Sequence, residues 1–339
     1  MKVLVTGGAG YIGSTICSAL LDSGHVPVIL DSLVNGRIEF AEGRNFYKGD
    51  IEDKELLSSI FEEHSDIEFT IHCAALIVVP DSVKKPDDYY TENVGKSLEL
   101  FKMLNELGCK NIVFSSSASI YDDSPTFIVN EESNLNPRSP YARTKYMMEM
   151  ILKDFCVAYD MKAIALRYFN PIGSDPEMRT GSYIKSPSHI LGKLIQVSSG
   201  KEDIFKVTGT NWDTRDGTGI RDYIHVWDLA RAHVYAIEKF EIIFDSKDCK
   251  DVTYEVINLG NGRGTTVREM VNAFENVIEK EINKTETEPR QGDVPGAYAN
   301  ADKAFKLLGW KTELTTEDGI RDALVWSDKW DKTLKELSR

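Results

Sequence analysis

The chain is 339 residues long, 42% hydrophobic and 28% charged, an ordinary balance for a globular protein with room for one large core and one smaller one. Its formal net charge of −14 repels phosphate polyanions and anionic bilayers, which argues against nucleic-acid and membrane partners. A ligand that carries phosphate must then be held by local donors.

The first predicted strand is the apolar run Lys2-Val3-Leu4-Val5-Thr6, which ends in Gly7-Gly8-Ala9-Gly10-Tyr11-Ile12-Gly13. This start lacks the features of a signal peptide, and no run approaches a bilayer span, so a cytoplasmic protein is expected. Strands near 26–30, 68–73, 111–115 and 163–166 alternate with amphipathic stretches near 12–23, 54–63, 93–108 and 141–158. Such alternation predicts an α/β fold of the Rossmann type: a doubly wound parallel sheet, helices on both faces, and ligands at the carboxyl ends of the strands. After Phe169 the pattern changes. Residues 170–220 are rich in Gly, Pro, Ser and Asp, and helices follow near 189–199, from Val226, and near 266–280, with a strand at 254–259 and a loop at 285–300. The expected organisation is a dinucleotide-binding domain over 1–169 and a smaller C-terminal α/β domain over 170–339, with segments near 221–260 returning to the first. Cys17, Cys73, Cys109, Cys156 and Cys249 are scattered singly, which predicts reduced thiols and no metal site.

Glycines alone make a weak motif, but Gly7, Gly10 and Gly13 follow a strand and open a helix, the context a dinucleotide requires. The first permits the tight turn, the second lets backbone reach the pyrophosphate, and the third lets helix and strand pack closely. The helix N-terminus supplies N–H groups and the positive end of its dipole. Asp31 ends the next strand, 18 residues after Gly13, at the spacing of a carboxylate that accepts from the adenosine ribose. Followed by Ser32 rather than an arginine, it favours NAD over NADP; Arg37 is the nearest cation that bears on that choice. Asp50, before Ile51, either faces the adenine or caps the following helix.

Tyr141 and Lys145 stand four apart at the start of a helix and share one face. Ser115-Ser116-Ser117 closes the preceding strand and brings a hydroxyl towards the tyrosine. Taking hydride from a carbinol carbon requires removal of the hydroxyl proton, and a phenol near pKa 10 is a poor base at neutral pH. Bringing it to about 7 takes roughly 4 kcal/mol of differential stabilisation, which Lys145 and a positive nicotinamide would supply together. Tyr141 is thus the expected base, Lys145 its electrostatic partner and Ser117 a donor or relay.

These residues, together with Arg167-Tyr168-Phe169-Asn170-Pro171-Ile172-Gly173, Asp216–Val226 (which contains Arg221-Asp222-Tyr223-Ile224-His225-Val226), Asn258-Leu259-Gly260-Asn261-Gly262 and Pro289-Arg290-Gln291-Gly292-Asp293, resemble the extended short-chain dehydrogenase/reductases over nearly the whole chain. The resemblance is to members that epimerise nucleotide sugars at C4. It implies an NAD that is not consumed, a transient 4-keto sugar, and a C-terminal domain that binds a UDP-sugar. It implies further that Tyr11, Ile12, Asp50, Ile51, Cys73, Asn93, Ser115 and Phe169 line the NAD pocket, and that Asn170, His189, Arg221, Arg290, Asp293 and Ala297 face the UDP-sugar. It implies a homodimer built on the 93–108 and 141–158 stretches. For each arginine taken alone a surface ion pair is the commoner fate, and two in matching motifs shift the balance towards binding.

Ile77 stands where many members of this family carry a lysine, and Ala297 where some carry a tyrosine. The small Ala297 implies room for an N-acetyl group on the sugar. Lys193 reads as a solvated helix face, or alternatively as a cation for an acidic sugar. A 4,6-dehydratase needs acids after the strand-end serine, and Ala118-Ser119-Ile120-Tyr121 has none. A 4-epimerase of UDP-glucuronate or a UDP-pentose would use the same catalytic groups. A catalytically silent NAD-sensing protein is disfavoured because Tyr141, Lys145 and Ser117 are all present.

Overall fold

Side chains alternate along strand β1 (Lys2–Thr6), so Val3 and Val5 enter one apolar layer and Leu4 the other. The same two-sided burial runs through β2 (Val26–Asp31), β4 (Ile67–His72), β5 (Asn111–Ser115) and the strand Lys162–Tyr168, with the short β3 (Asn45–Lys48) at one edge. With Tyr254–Leu259 these form a seven-stranded, all-parallel sheet. Its order is Tyr254–Leu259, Lys162–Tyr168, β5, β4, β1, β2, β3. The computed structural model describes residues 1–245, 253–289 and 294–337, so Cys249, Arg290 and Asp293 lie outside the described residues.

Helices Tyr11–Asp22 and Val226–Glu238 cover one face, where Ile16 and Leu20 meet Leu229 and Val234. Lys54–Glu63, Lys96–Glu106 and Pro140–Tyr159 cover the other through Leu57, Ile60, Phe101, Leu104, Met148 and Leu152. Asp53, rather than Asp50, caps Lys54–Glu63, its carboxylate accepting from Leu56 N–H at 3.0 Å. The predicted 93–108 helix is Lys96–Glu106, entered through a wider π turn, Tyr90–Gly95.

The chain leaves β1 towards β2 and β3, then crosses back to β4. The crevice between the carboxyl ends of β1 and β4 is therefore the topological switch point, where ligands of this fold bind.

A third apolar cluster (Leu191, Leu194, Phe205, Val207, Met270, Phe274, Ile320) lies under short strands of the C-terminal half. Gly296–Ala299 runs parallel to Ile220–Arg221 and to Ile128–Val129, while Lys284–Thr287 pairs with Phe205–Thr208. The expected loop at 285–300 is thus corrected: strands lie at both its ends. Their partners are distant in sequence, so local periodicity carries no sign of them.

Candidate active site

Gly7 has φ +69°, and a Cβ there would stand 2.8 Å from the amide nitrogen of Ala74. A Cβ on Gly13 would strike the carbonyl oxygen of Gly7, so both positions require glycine. Gly10 N–H donates to Gly7 O at 3.0 Å and tightens the turn. Gly10 is also the N-cap of Tyr11–Asp22, and no side chain caps that helix start. The N-terminus thus has the form of a phosphate cradle. At its rim Asp31, 7% exposed, accepts from Ala9 N–H at 3.0 Å and Leu33 N–H at 2.8 Å. Burial nonetheless raises its pKa above the usual carboxylate value. These features fit a dinucleotide: glycines where backbone must approach, an uncapped helix start for diphosphate, and a carboxylate at the ribose position.

Cys73 N–H donates to Thr6 O at 3.1 Å, which brings the end of β4 against the glycine turn. Tyr11 donates its hydroxyl to Gly173 O at 2.7 Å and ties the turn to the segment after Asn170–Ile172. Ile51 is buried in the apolar layer with Leu4 and Leu30, and Ile12 packs against the opposite layer. Asp50 binds Lys96 at 2.6 Å. Buried Asn93 donates to Leu76 O at 2.9 Å and Thr144 Oγ1 at 3.0 Å, and accepts from Leu76 N–H at 2.7 Å. Its amide joins the 74–78 loop to the helix of Tyr141.

That helix, Pro140–Tyr159, starts at Ser139, whose hydroxyl accepts from Ala142 N–H at 3.1 Å, with proline in its first turn. The cap places Tyr141 and Lys145 one turn apart beside the carboxyl end of β5. Burial raises the Tyr141 pKa, while its hydrogen bond to Ser117 opposes the rise. Lys145, 2% exposed, donates to Ser115 O at 2.8 Å, and burial pulls its pKa down to about 8. In the protein alone burial outweighs any depression of the phenol, and the lowering expected from Lys145 together with a positive nicotinamide needs the cofactor in place. Ser117 also lies 2.9 Å from Ser119 Oγ.

Behind them Ser115 Oγ lies 2.9 Å from His233 Nε2 and 3.1 Å from Cys73 Sγ. His233 Nδ1–H donates to Leu229 O at 2.8 Å, so Nε2 accepts from Ser115 and the Ser115 oxygen accepts from the Cys73 thiol. Burial pushes the Cys73 thiol up to about 11 and His233 down to about 4, so the chain of groups is neutral at physiological pH.

A second buried network escaped the sequence reading. Glu149 binds Arg167 through Oε1 to Nε at 3.0 Å and Oε2 to Nη2 at 2.7 Å, and also accepts from Ser116 Oγ. Arg167 Nη1 donates to Tyr121 OH at 3.0 Å, and that hydroxyl donates to Asn258 Oδ1 at 2.6 Å. The available signal was spacing: Glu149 continues the Tyr141, Lys145 face by one more turn.

On the sugar side, Phe169 lies half-buried between two strands, and Asn170 is exposed in register with Tyr223. His189 caps Ile190–Ser198, its Nδ1 accepting from Gly192 N–H at 3.2 Å. Arg221 donates to Ile220 O at 2.7 Å, Pro295 O at 2.9 Å and Val294 O at 3.1 Å. An expected diphosphate fork thus also bolts the 294–295 backbone to its strand, leaving Nε–H and one Nη2–H without a partner among the described residues. Ala297 lies in register with Arg221, half-buried. Lys193 pairs with Glu202.

A dinucleotide turn facing a Tyr/Lys/Ser set across a parallel-sheet switch point defines a nucleotide-dependent enzyme of alcohol redox chemistry. Residues 3–260 match the model of the NAD dependent epimerase/dehydratase family. The chain is 40% identical over 336 residues to a UDP-glucose 4-epimerase of Bacillus subtilis, covering 96% of each. A UDP-glucose-4-epimerase of Stenotrophomonas maltophila, solved with NAD and formylated UDP-arabinopyranose, superposes with TM-score 0.90 at 34% identity, covering 98% of this chain and 99% of that one. A UDP-Glc/GlcNAc 4-epimerase of Campylobacter jejuni superposes with TM-score 0.81 at 30% identity, covering 97% and 99%. The chain belongs to the NAD-dependent epimerase/dehydratase family.

Proposed function

We propose that the protein interconverts UDP-hexoses at C4, as UDP-glucose and UDP-galactose, with NAD regenerated in each turnover. It is an NAD-dependent isomerase of the nucleotide-sugar epimerase type. The observation that carries this reading is the position of Tyr141, in hydrogen-bonding reach of Ser117 and beside the glycine-turn crevice, with no carboxylate among Ala118, Ser119, Ile120 and Tyr121. Tyr141 accepts the C4 hydroxyl proton and returns it, and Ser117 orients that hydroxyl. Lys145 holds positive charge behind the tyrosine through its bond to Ser115 O. NAD supplies the hydride acceptor and donor. Epimerisation adds the need for a keto sugar that can present either face to the same ring.

The division of labour we propose places NAD on residues 1–169 with the returning strand Tyr254–Leu259, and the UDP-sugar on 170–339. Asn170 and Arg221 are the described candidates for its diphosphate and sugar, with Arg290 and Asp293 completing the set. Ala297 supports acceptance of UDP-GlcNAc and UDP-GalNAc as well; the Campylobacter jejuni relative is named a UDP-Glc/GlcNAc 4-epimerase. The pairing of Lys193 with Glu202 speaks against a dedicated acidic-sugar site. Exposed Met147, Met150 and Val157 on Pro140–Tyr159 support a homodimer through that helix, one of the two stretches expected to form it. No described helix is long and apolar enough to cross a membrane, and a cytoplasmic location fits the reading.

Proton NMR of the purified protein, without added NAD, incubated separately with UDP-galactose, UDP-GalNAc and UDP-glucuronate, tests this. New anomeric signals of UDP-glucose and UDP-GlcNAc are expected. Loss of the N-acetyl activity alone in Ala297→Tyr follows from a roomy pocket, and equal loss of both activities refutes that part. No conversion of any sugar, even with NAD added, refutes the reading for these substrates.

A further inference from the structure

Arg37 sits on the rim of the glycine turn, its backbone N–H donating to Ala9 O at 2.9 Å. Buried or half-buried Arg167, Arg179, Arg231 and Arg268 each pair with a carboxylate, while Arg44 and Arg221 donate to carbonyls. Arg37 has none within ion-pair reach among the described residues, and its Nε is buried without a hydrogen-bond partner. The guanidinium lies against the Tyr183 ring, 5.3 Å from its centroid. The Tyr183 hydroxyl in turn reaches over the turn, 3.9 Å from where a Cβ on Gly10 would stand. Burial raises the pKa of this phenol; the nearby Asp31 carboxylate adds to the rise and the Arg37 guanidinium opposes it. All three therefore converge on the uncapped start of Tyr11–Asp22.

The segment that carries Tyr183 is strapped across from the C-terminal half. Trp326 Nε1 donates to Ser182 O at 2.8 Å, and Gln196 Nε2 donates to Lys185 O at 2.9 Å. Gly181 lies flat on the Trp326 ring, leaving no space for a Cβ. Phe40 meets Tyr183 at 5.5 Å, Trp326 at 5.7 Å and Trp330 at 5.5 Å, closing an aromatic cluster separate from the main cores. Behind the strap a cavity of about 370 Å³ runs between His189, Trp326 and Trp330. The Ser174–Gly181 bridge, two carbonyl bonds and one aromatic cluster hold the strap.

Resting on the 4-epimerase reading, we propose that Arg37 and Tyr183 are NAD-binding residues. Arg37 donates to the adenosine-side phosphate, and Tyr183 closes over the diphosphate. Trp326 is a positioning residue that holds the strap in place. An unpaired arginine and a phenol supply the donors that a diphosphate needs in a chain of strongly negative charge.

The test measures NAD binding directly: NAD content after gel filtration, and dissociation constants for NAD on nucleotide-stripped protein at two salt concentrations. Arg37→Gln is expected to weaken NAD binding about tenfold or more. Arg37→Lys should recover part of that loss, and Arg37→Gln should show a shallower loss of affinity with added salt than the wild type. Trp326→Phe keeps an aromatic ring at this place but removes the indole N–H and its Ser182 bond, and is expected to speed NAD release several-fold with association unchanged. NAD affinity within twofold of wild type in Arg37→Gln overturns the proposal. If the wild type binds and epimerises while these variants bind alike, only this inference fails; if the wild type binds no NAD, the reading it rests on fails with it.

Discussion

The two sides of the crevice are built in opposite ways. On the cofactor side, the seven-stranded sheet is continuous, and its functional residues come as two local groups at the ends of β1 and β5. On the sugar side, strands of two to four residues are gathered from distant segments. Asp222 holds them: fully buried, it accepts from Asn261 N–H at 2.8 Å, Ala299 N–H at 3.1 Å and Gly262 N–H at 3.3 Å. Arg221 adds its three carbonyl bonds. A regular sheet turns a local motif into a site, whereas short strands need buried polar bolts to do the same.

The comparison is sharpest at the catalytic helix, where the largest effect is expected. Tyr141→Phe should lower kcat about 10³-fold while the protein keeps its NAD content, because only the proton transfer is removed. Loss of NAD along with activity would mean that Tyr141 builds the cofactor side rather than serving it. Lys145 carries its proton up to a pKa of about 8, so kcat/KM should fall above that pH as the ammonium is lost. A flat alkaline profile would remove it from the electrostatic role.

Next in size is Glu149→Ala, which leaves Arg167 buried without its carboxylate and should cost about 3–5 kcal/mol in urea denaturation. The double variant Glu149→Leu, Arg167→Met should regain most of it, since an apolar pair of similar volume suits that site. No recovery in the double variant would show that the pair does more than satisfy itself, and would make the cofactor side as dependent on polar bolts as the sugar side.

The same contrast explains what could be read in advance. The helix expected at 54–63 is Lys54–Glu63 and the strands expected at 111–115 and 254–259 lie at Asn111–Ser115 and Tyr254–Leu259, because periodicity and turn residues report local structure. The glycine turn and the Tyr141, Lys145 and Ser117 group were legible for the same reason. The strands at 284–287 and 296–299, the double duty of Arg221 and the Glu149–Arg167 pair depend on partners far along the chain. Lys145's docking on Ser115 O was equally hidden, since spacing gives the helix face but not the atom that the ammonium meets.

A pH experiment probes the bolts themselves. Burial pushes the Asp222 carboxyl up to about 6 against the pull of its Asn261, Ala299 and Gly262 N–H donors. An unfolded aspartate titrates near 4, so the folded chain binds this proton more tightly. The contribution is complete below pH 4 and is lost as pH rises through about 6, the reverse of an ordinary ion-paired carboxylate. Between pH 4 and pH 7 the wild type should lose about 3 kcal/mol relative to Asp222→Asn, which cannot ionise. Parallel curves would show that Asp222 is charged throughout and held by its donors alone.

The smallest effect sets two helix caps against each other. Thr266 is buried, accepts from Glu269 N–H at 3.1 Å, and donates to Asp216 Oδ2 at 2.5 Å, joining the Val267–Ile278 helix to the 216–218 turn. Asp53 caps Lys54–Glu63 at an exposed end of the cofactor side, and among the described residues its carboxylate bonds only within its own helix start. Both lose a cap on change to alanine, but Thr266→Ala also strips a partner from Asp216. It should cost about 2 kcal/mol, against about 1 kcal/mol for Asp53→Ala, by chemical denaturation at neutral pH. Equal losses would mean that a cap is only a cap on either side, and that the sugar-side strands are held by their apolar cluster instead of by polar bolts.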